Sequence, residues 1–121
     1  MSLYVPYIGK DEKEIQLRIN AARAIELEKK LGGRAIAMVI PELDKLSVTS
    51  EILAAALPKD SYENRKKKAL NIFDEMIEDG KSLSEYQFLA MDVLVAAGFM
   101  KGESVKMLKE TQEAANKLLA E

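Results

Sequence analysis

Over residues 14–19 polar and apolar positions alternate, with Glu14, Gln16 and Arg18 set between Ile15, Leu17 and Ile19. A period of two is the pattern of a half-buried strand. Upstream, "LYVPYI" is rich in β-forming residues, and "GKDE" between the two runs supplies a polar turn. Together they predict a β-hairpin over about residues 3–19. Pro6 has no N–H to donate, so the first strand is expected at an edge or broken. A hairpin alone is marginal in water, so this one must rest on helices or pair with another chain.

From residue 20 onward the apolar period lengthens to three and four, the helical spacing. In "NAARAIELEKKLGG" Asn20 can cap the start and Gly32 can stop the end. Ala21, Ala24, Ile25, Leu27 and Leu31 are read as one apolar face, with Arg23, Glu26, Lys29 and Lys30 opposite. Glu28 falls inside the apolar arc, where a carboxylate needs donors. It is expected to be structural, either bonding N–H groups at the start of "LSVTSE" or pairing with Arg34 or Arg18, or else reaching water from the edge of the stripe. "AIAMVI" before Pro41 predicts a short helix, and Ser47 can cap "VTSEILAAAL", which Pro58 ends. "SYENRKKKALNIFDEMIEDG" predicts a long helix closed by Gly80, with Leu70, Phe73, Met76 and Ile77 facing inward. Ser82 and Glu85 form a capping box. The helix they open, "LSEYQFLAMDVLVAAG", is apolar nearly all round, the pattern of a central helix. The last helix, about 103–120, is two-faced: Val105, Leu108, Ala115, Leu118 and Leu119 oppose Lys106, Lys109, Glu110, Glu113 and Lys117. The expected fold is mainly α, a single domain over 1–121. It opens with the β-hairpin, continues as a bundle of about five helices over 20–121, and leaves the last helix free to protrude.

Composition narrows the function. The 121 residues contain no cysteine and no histidine. Thiol nucleophiles, imidazole bases, serine–histidine triads, ordinary zinc sites and disulfides are therefore all excluded. A net charge of −2 exerts no global pull toward nucleic acid or anionic lipid. No apolar run approaches membrane length, and the N-terminus lacks a signal pattern. The expectation is a soluble intracellular protein with no cofactor, no metal and no small-molecule substrate, and not an enzyme.

Few residues invite chemistry. Asp74, Glu75, Glu78 and Asp79 form a carboxylate cluster, but without the alternation around a glycine that calcium loops use. "RKKK" at 65–68 is one basic turn with no glycine-rich loop and no interleaved aromatics, and reads as a solvated face. Its helix is basic at the start and acidic at the end, against the macrodipole. That polarity suits head-to-tail contact between copies, with Lys67 and Lys68 of one meeting Glu75 and Glu78 of the next. Phe88, Met91 and Val95 form either a buried sector or a partner patch. The stripe of Val105, Leu108, Ala115 and Leu119 poses the same choice. An alternative reading, a small nucleic-acid-binding regulator, takes "SYENRKKKALNIF" as a recognition helix after the Pro58 break.

The order of elements also carries a resemblance. A hairpin "YIGKDEKEIQLRI" runs into "ARAIELEKKLG", followed by a short apolar segment, "LSVTSEILAAAL", a long charged helix and "LVAAGFMK". This resembles the tail assembly chaperones of long-tailed bacteriophages. Leu27, Glu28, Leu31 and Gly32 match that family's helix-ending pattern, and Ala97, Gly98, Phe99 and Met100 its later turn. The resemblance implies a non-enzymatic, mostly helical protein of phage or prophage origin, acting in the cytoplasm of a bacterial host. It implies a homo-oligomer, in rings or open spirals, that binds the tape measure protein, and this chain looks like the shorter of the family's two forms.

Overall fold

The computed structural model describes residues 3–120; within the last helix, the side chains of residues 112, 115, 116, 119 and 120 fall outside the description. The predicted hairpin is present as antiparallel strands β1 (Val5–Ile8) and β2 (Glu14–Leu17), in the register Val5 opposite Leu17 and Tyr7 opposite Ile15. Those four residues form its inner face, with Leu17 completely buried. Six helices follow: α1 (Ala21–Lys30), α2 (Ile36–Val39), α3 (Leu46–Ala56), α4 (Tyr62–Glu78), α5 (Leu83–Ala96) and α6 (Gly102–Ala120). All but the four-residue α2 have ten residues or more, so the expected mainly α bundle behind an N-terminal hairpin is the observed architecture.

Several local signals act as the sequence predicts. The Asn20 side chain accepts the Arg23 N–H; Ser61, to which the sequence reading gives no role, does the same for Asn64 at the start of α4. Ser82 and Glu85 close both halves of their capping box at the start of α5. Gly32 ends α1 at φ +77°, a conformation that any Cβ would strain, and Gly33 N–H reaches back to the Glu28 carbonyl at 2.9 Å. Ser47, in contrast, is not a cap. A 3₁₀ turn at Ile40–Glu42 leads directly into α3, whose N-cap position is Lys45, so Ser47 lies already inside the first turn.

Two face assignments need correcting. Ile25 and Ala21 are solvent-exposed on α1; the buried arc is Ala24, Leu27 and Leu31, flanked by half-buried Arg23 and Glu28. On α4, Leu70 and Ile77 are exposed, while Arg65, Ala69, Ile72 and Met76 face inward and Phe73 sits at the edge. Both errors count apolar residues where the tertiary neighbours decide. Two helices share the centre: α5, as its pattern predicts, packs against α3, α4, α6 and β1, and α3 packs against α1, α4 and α5. Its Ala54, Ala55 and Ala56 let those neighbours approach closely, and Ile52 and Leu53 fill the centre. Behind α4, Tyr86 of α5 is fully buried, donates its hydroxyl to the Ala69 carbonyl at 2.8 Å, and meets Phe73 edge-to-face at 5.2 Å.

Candidate protein-interaction surface

The C-terminal end of α3 organises the polar interior. A helix leaves its last carbonyls without intrahelical partners, and Pro58 prevents continuation. Here four successive carbonyls are met by donors from other elements. Arg65 Nη1 donates to Ala54 O at 2.8 Å, and Arg23 Nη1 to Ala55 O and Leu57 O at 3.1 and 2.7 Å. The backbone N–H of Arg18, just past β2, donates to Ala56 O at 2.9 Å. Positive charge at a helix C-terminus also opposes the macrodipole favourably. Arg65, only 4% exposed, completes its fork with Glu26 at 2.7 Å and the Asp60 carbonyl at 3.1 Å. Desolvation by burial, then the nearby Arg65 charge, lowers the Arg23 guanidinium below its ordinary value.

This arrangement revises the reading of "RKKK". Arg65 is interior and Lys66 is half-buried, held by Glu51 at 2.7 Å and Ser50 at 2.8 Å; only Lys67 and Lys68 are exposed. Half of the basic turn therefore faces inward. Next to it, Tyr62 donates its hydroxyl to Glu51 at 2.7 Å, and Lys30 Nζ stands 3.8 Å from the ring centroid. Burial first, and the hydrogen bond and charge of Glu51 next, push the Tyr62 phenol up to about 12. A raised folded-state value means that the folded protein holds this proton more tightly than the unfolded chain does. Its stabilising contribution is complete below the ordinary tyrosine value of 10.0 and is lost as pH rises through about 12. An alkaline unfolding series is expected to show that decline, and Tyr62→Phe is expected to remove part of it.

Of the two expectations for the Glu28 side chain, the bonded one is not met and the position at the edge of the stripe is the one observed. Arg34 instead pairs with Glu42 and donates to Leu31 O, and the Glu28 carboxylate lies half-exposed at the rim of the α1 stripe. Its structural contribution comes from its backbone carbonyl, which receives the Leu31 and Gly33 N–H groups. The α1 carboxylate that reaches a buried cation is Glu26, itself part-exposed, which the helical pattern assigns to the solvent side.

The residues proposed for contact between copies are partly brought together. Lys67, Lys68 and Glu75 line one groove of about 470 Å³ between α4 and the hairpin turn, together with Tyr7 and Asp11. Glu78 pairs with Lys10 of that turn, so it is already engaged within the chain. Burial, followed by the charges of Glu75, Asp79 and Asp11, raises the Tyr7 phenol above its ordinary value. Among the described residues no three acidic side chains are placed to share a metal ion.

The apolar candidates divide in two. Phe88 and Val95 are half-buried on α5, and Met91 is buried beneath them. They face α6, whose Val105 is 3% exposed. Lys109 of α6 pairs with Asp92 at 3.0 Å and lies 5.6 Å from the Phe88 ring centroid. Burying one valine stabilises the contact by roughly 1.5–3 kcal/mol. The ion pair, about two-fifths exposed on both sides, adds roughly 0.2–1 kcal/mol. Met107 and Leu118 are 69% and 73% exposed, and Leu108 also faces solvent. The side chains of Ala115 and Leu119 lie outside the described residues. The lysine that the helical pattern placed on the polar face, Lys109, is thus a docking residue, while much of the apolar stripe points away from the domain.

Compared with known proteins, the chain matches no family model, no curated protein and no solved structure. No helix among the described residues is long and apolar enough to cross a membrane.

Proposed function

We propose that this chain is a non-enzymatic assembly chaperone of the phage-tail type, which self-associates and sheathes a long helical partner, the tape measure protein, in the bacterial cytoplasm. The observation that supports this best is α6, a 19-residue helix that docks along one edge while Met107, Leu108 and Leu118 stand exposed. An apolar stripe of this kind takes a partner helix by the same spacing that would have packed it inward. The hairpin, α1 and the Gly32 stop supply the resemblance to the family, and no chemistry on the partner is required.

The test is a tagged pull-down from cells expressing the native gene cluster, with bound proteins identified by mass spectrometry. One very long, helix-rich polypeptide is the expected product; DNA, or the protein alone, would overturn the reading. Self-association has its own test. The exposed pair Lys67 and Lys68 lies near the N-terminal end of α4, a helix about 25 Å long. Charge reversal in Lys67→Glu/Lys68→Glu is expected to weaken association in sedimentation velocity, most clearly at low salt. Unchanged association would remove the head-to-tail contact.

A further inference from the structure

Helix α4 carries an apolar stripe on a side that its own fold leaves open. Leu70 and Ile77 are 40% and 44% exposed, and Phe73 between them is half-buried. Their spacing of three and four residues places all three along one side of the helix. Beside the stripe stand Lys67 in the first half of α4 and Asp74 in the second, both exposed. Among the described residues neither takes part in an ion pair within the chain. Arg65, Lys66 and Glu78 of the same helix are already paired, with Glu26, Glu51 and Lys10. Positive charge early and negative charge late oppose the macrodipole, so this polarity does not stabilise the helix by itself.

We propose that this face of α4 is the contact between two copies of the chain, the two helices lying antiparallel about a two-fold axis between residues 70 and 71. Positions 67 and 74 are equally far from that axis, so Lys67 of each copy stands opposite Asp74 of the other. Leu70 and Phe73 of both copies meet at the centre, and Ile77 covers the stem of Lys66 at each end. A parallel pair would set Lys67 against Lys67 and Asp74 against Asp74, so charge selects the antiparallel one. Self-association, proposed above, is the premise; what is added is a closed, reciprocal form of the head-to-tail contact, made through Asp74 rather than Glu75 and Glu78. One helix per copy is a small interface, so the dimer is expected to dissociate at roughly 10–100 µM.

Sedimentation equilibrium of the full chain, at concentrations up to about 0.5 mM, is expected to show a monomer–dimer equilibrium. Lys67→Asp and Asp74→Lys should each raise the dissociation constant about ten-fold or more, because each homodimer then holds two like-charged contacts. Mixed one to one, the two variants should form a heterodimer at about the parent's constant, since every contact again joins opposite charges. Both positions are exposed, so both variants should melt near the parent, and the parent series depends on no variant folding. A parent that stays monomeric at about 0.5 mM would overturn the pairing. So would association that survives both reversals, or variants that remain monomeric when mixed. A series that grows beyond the dimer and that both reversals stop belongs to the open head-to-tail contact, and would overturn the two-fold one. No client is present, so failure here leaves the capture of a client standing. A failed pull-down with the dimer intact leaves the pairing standing instead.

Discussion

Arg65→Ala is expected to lower the free energy of unfolding by about 3 kcal/mol and the melting temperature by roughly 10–15 °C. The side chain is almost wholly buried and serves three partners from three segments: Ala54 O, Asp60 O and Glu26. Its removal orphans the Ala54 carbonyl at the buried end of α3 and leaves Glu26 without its cation. Glu26 is 35% exposed and can regain water, which holds the loss near the lower end for a broken buried pair. Arg65→Lys is expected to recover little, because an ammonium cannot span the three acceptors that the planar fork reaches. Urea and thermal unfolding of the two variants, with exposed Lys68→Ala as the control, check this. A loss below about 1 kcal/mol for Arg65→Ala would show that the network contributes no more than a surface ion pair.

The largest functional effect is expected from Met107→Ser/Leu108→Ser/Leu118→Ser on the outer face of α6. Interface energy concentrates in a few apolar anchors, so loss of three exposed ones should cut client capture at least about ten-fold. All three side chains already face water, so the melting temperature should stay within a few degrees of the parent. That separation is the point of the test. Capture unchanged by the triple variant would exclude the outer face of α6, and capture lost together with stability would show that those residues pack within the fold. Retention is measured by the same pull-down, with the amount of client scaled to the amount of bait.

The first prediction turns on residues whose roles pattern alone misassigns. Arg23, Glu26 and Arg65 sit among other charges on helix faces that read as solvated, and nothing local marks them as interior. What draws the two arginines inward is the end of α3, whose bare carbonyls need donors, and Glu26 follows as the acceptor of Arg65. One cue was available: Pro58 ends an apolar helix abruptly, and such an end requires cations or N–H groups from elsewhere. The sequence does not say which.

Lys109 shows the same limit from the other side. Its place on the polar face of α6 is correct by angle, yet Asp92 and the Phe88 ring make that angle a docking direction.

What the sequence by itself determined is the local structure: the hairpin with its Gly9–Glu12 turn, the caps at Asn20, Ser61 and Ser82, the Gly32 stop and the mainly α class. Those signals act between residues a few positions apart, where backbone geometry and hydrogen-bond reach are fixed by the chain itself. Only the tertiary structure decided that α3 joins α5 at the centre, that Ile25, Leu70 and Ile77 face out, and that Arg65 faces in. Each of these depends on which distant surface arrives at a helix face, and helical period records only how many apolar residues stand ready to meet it.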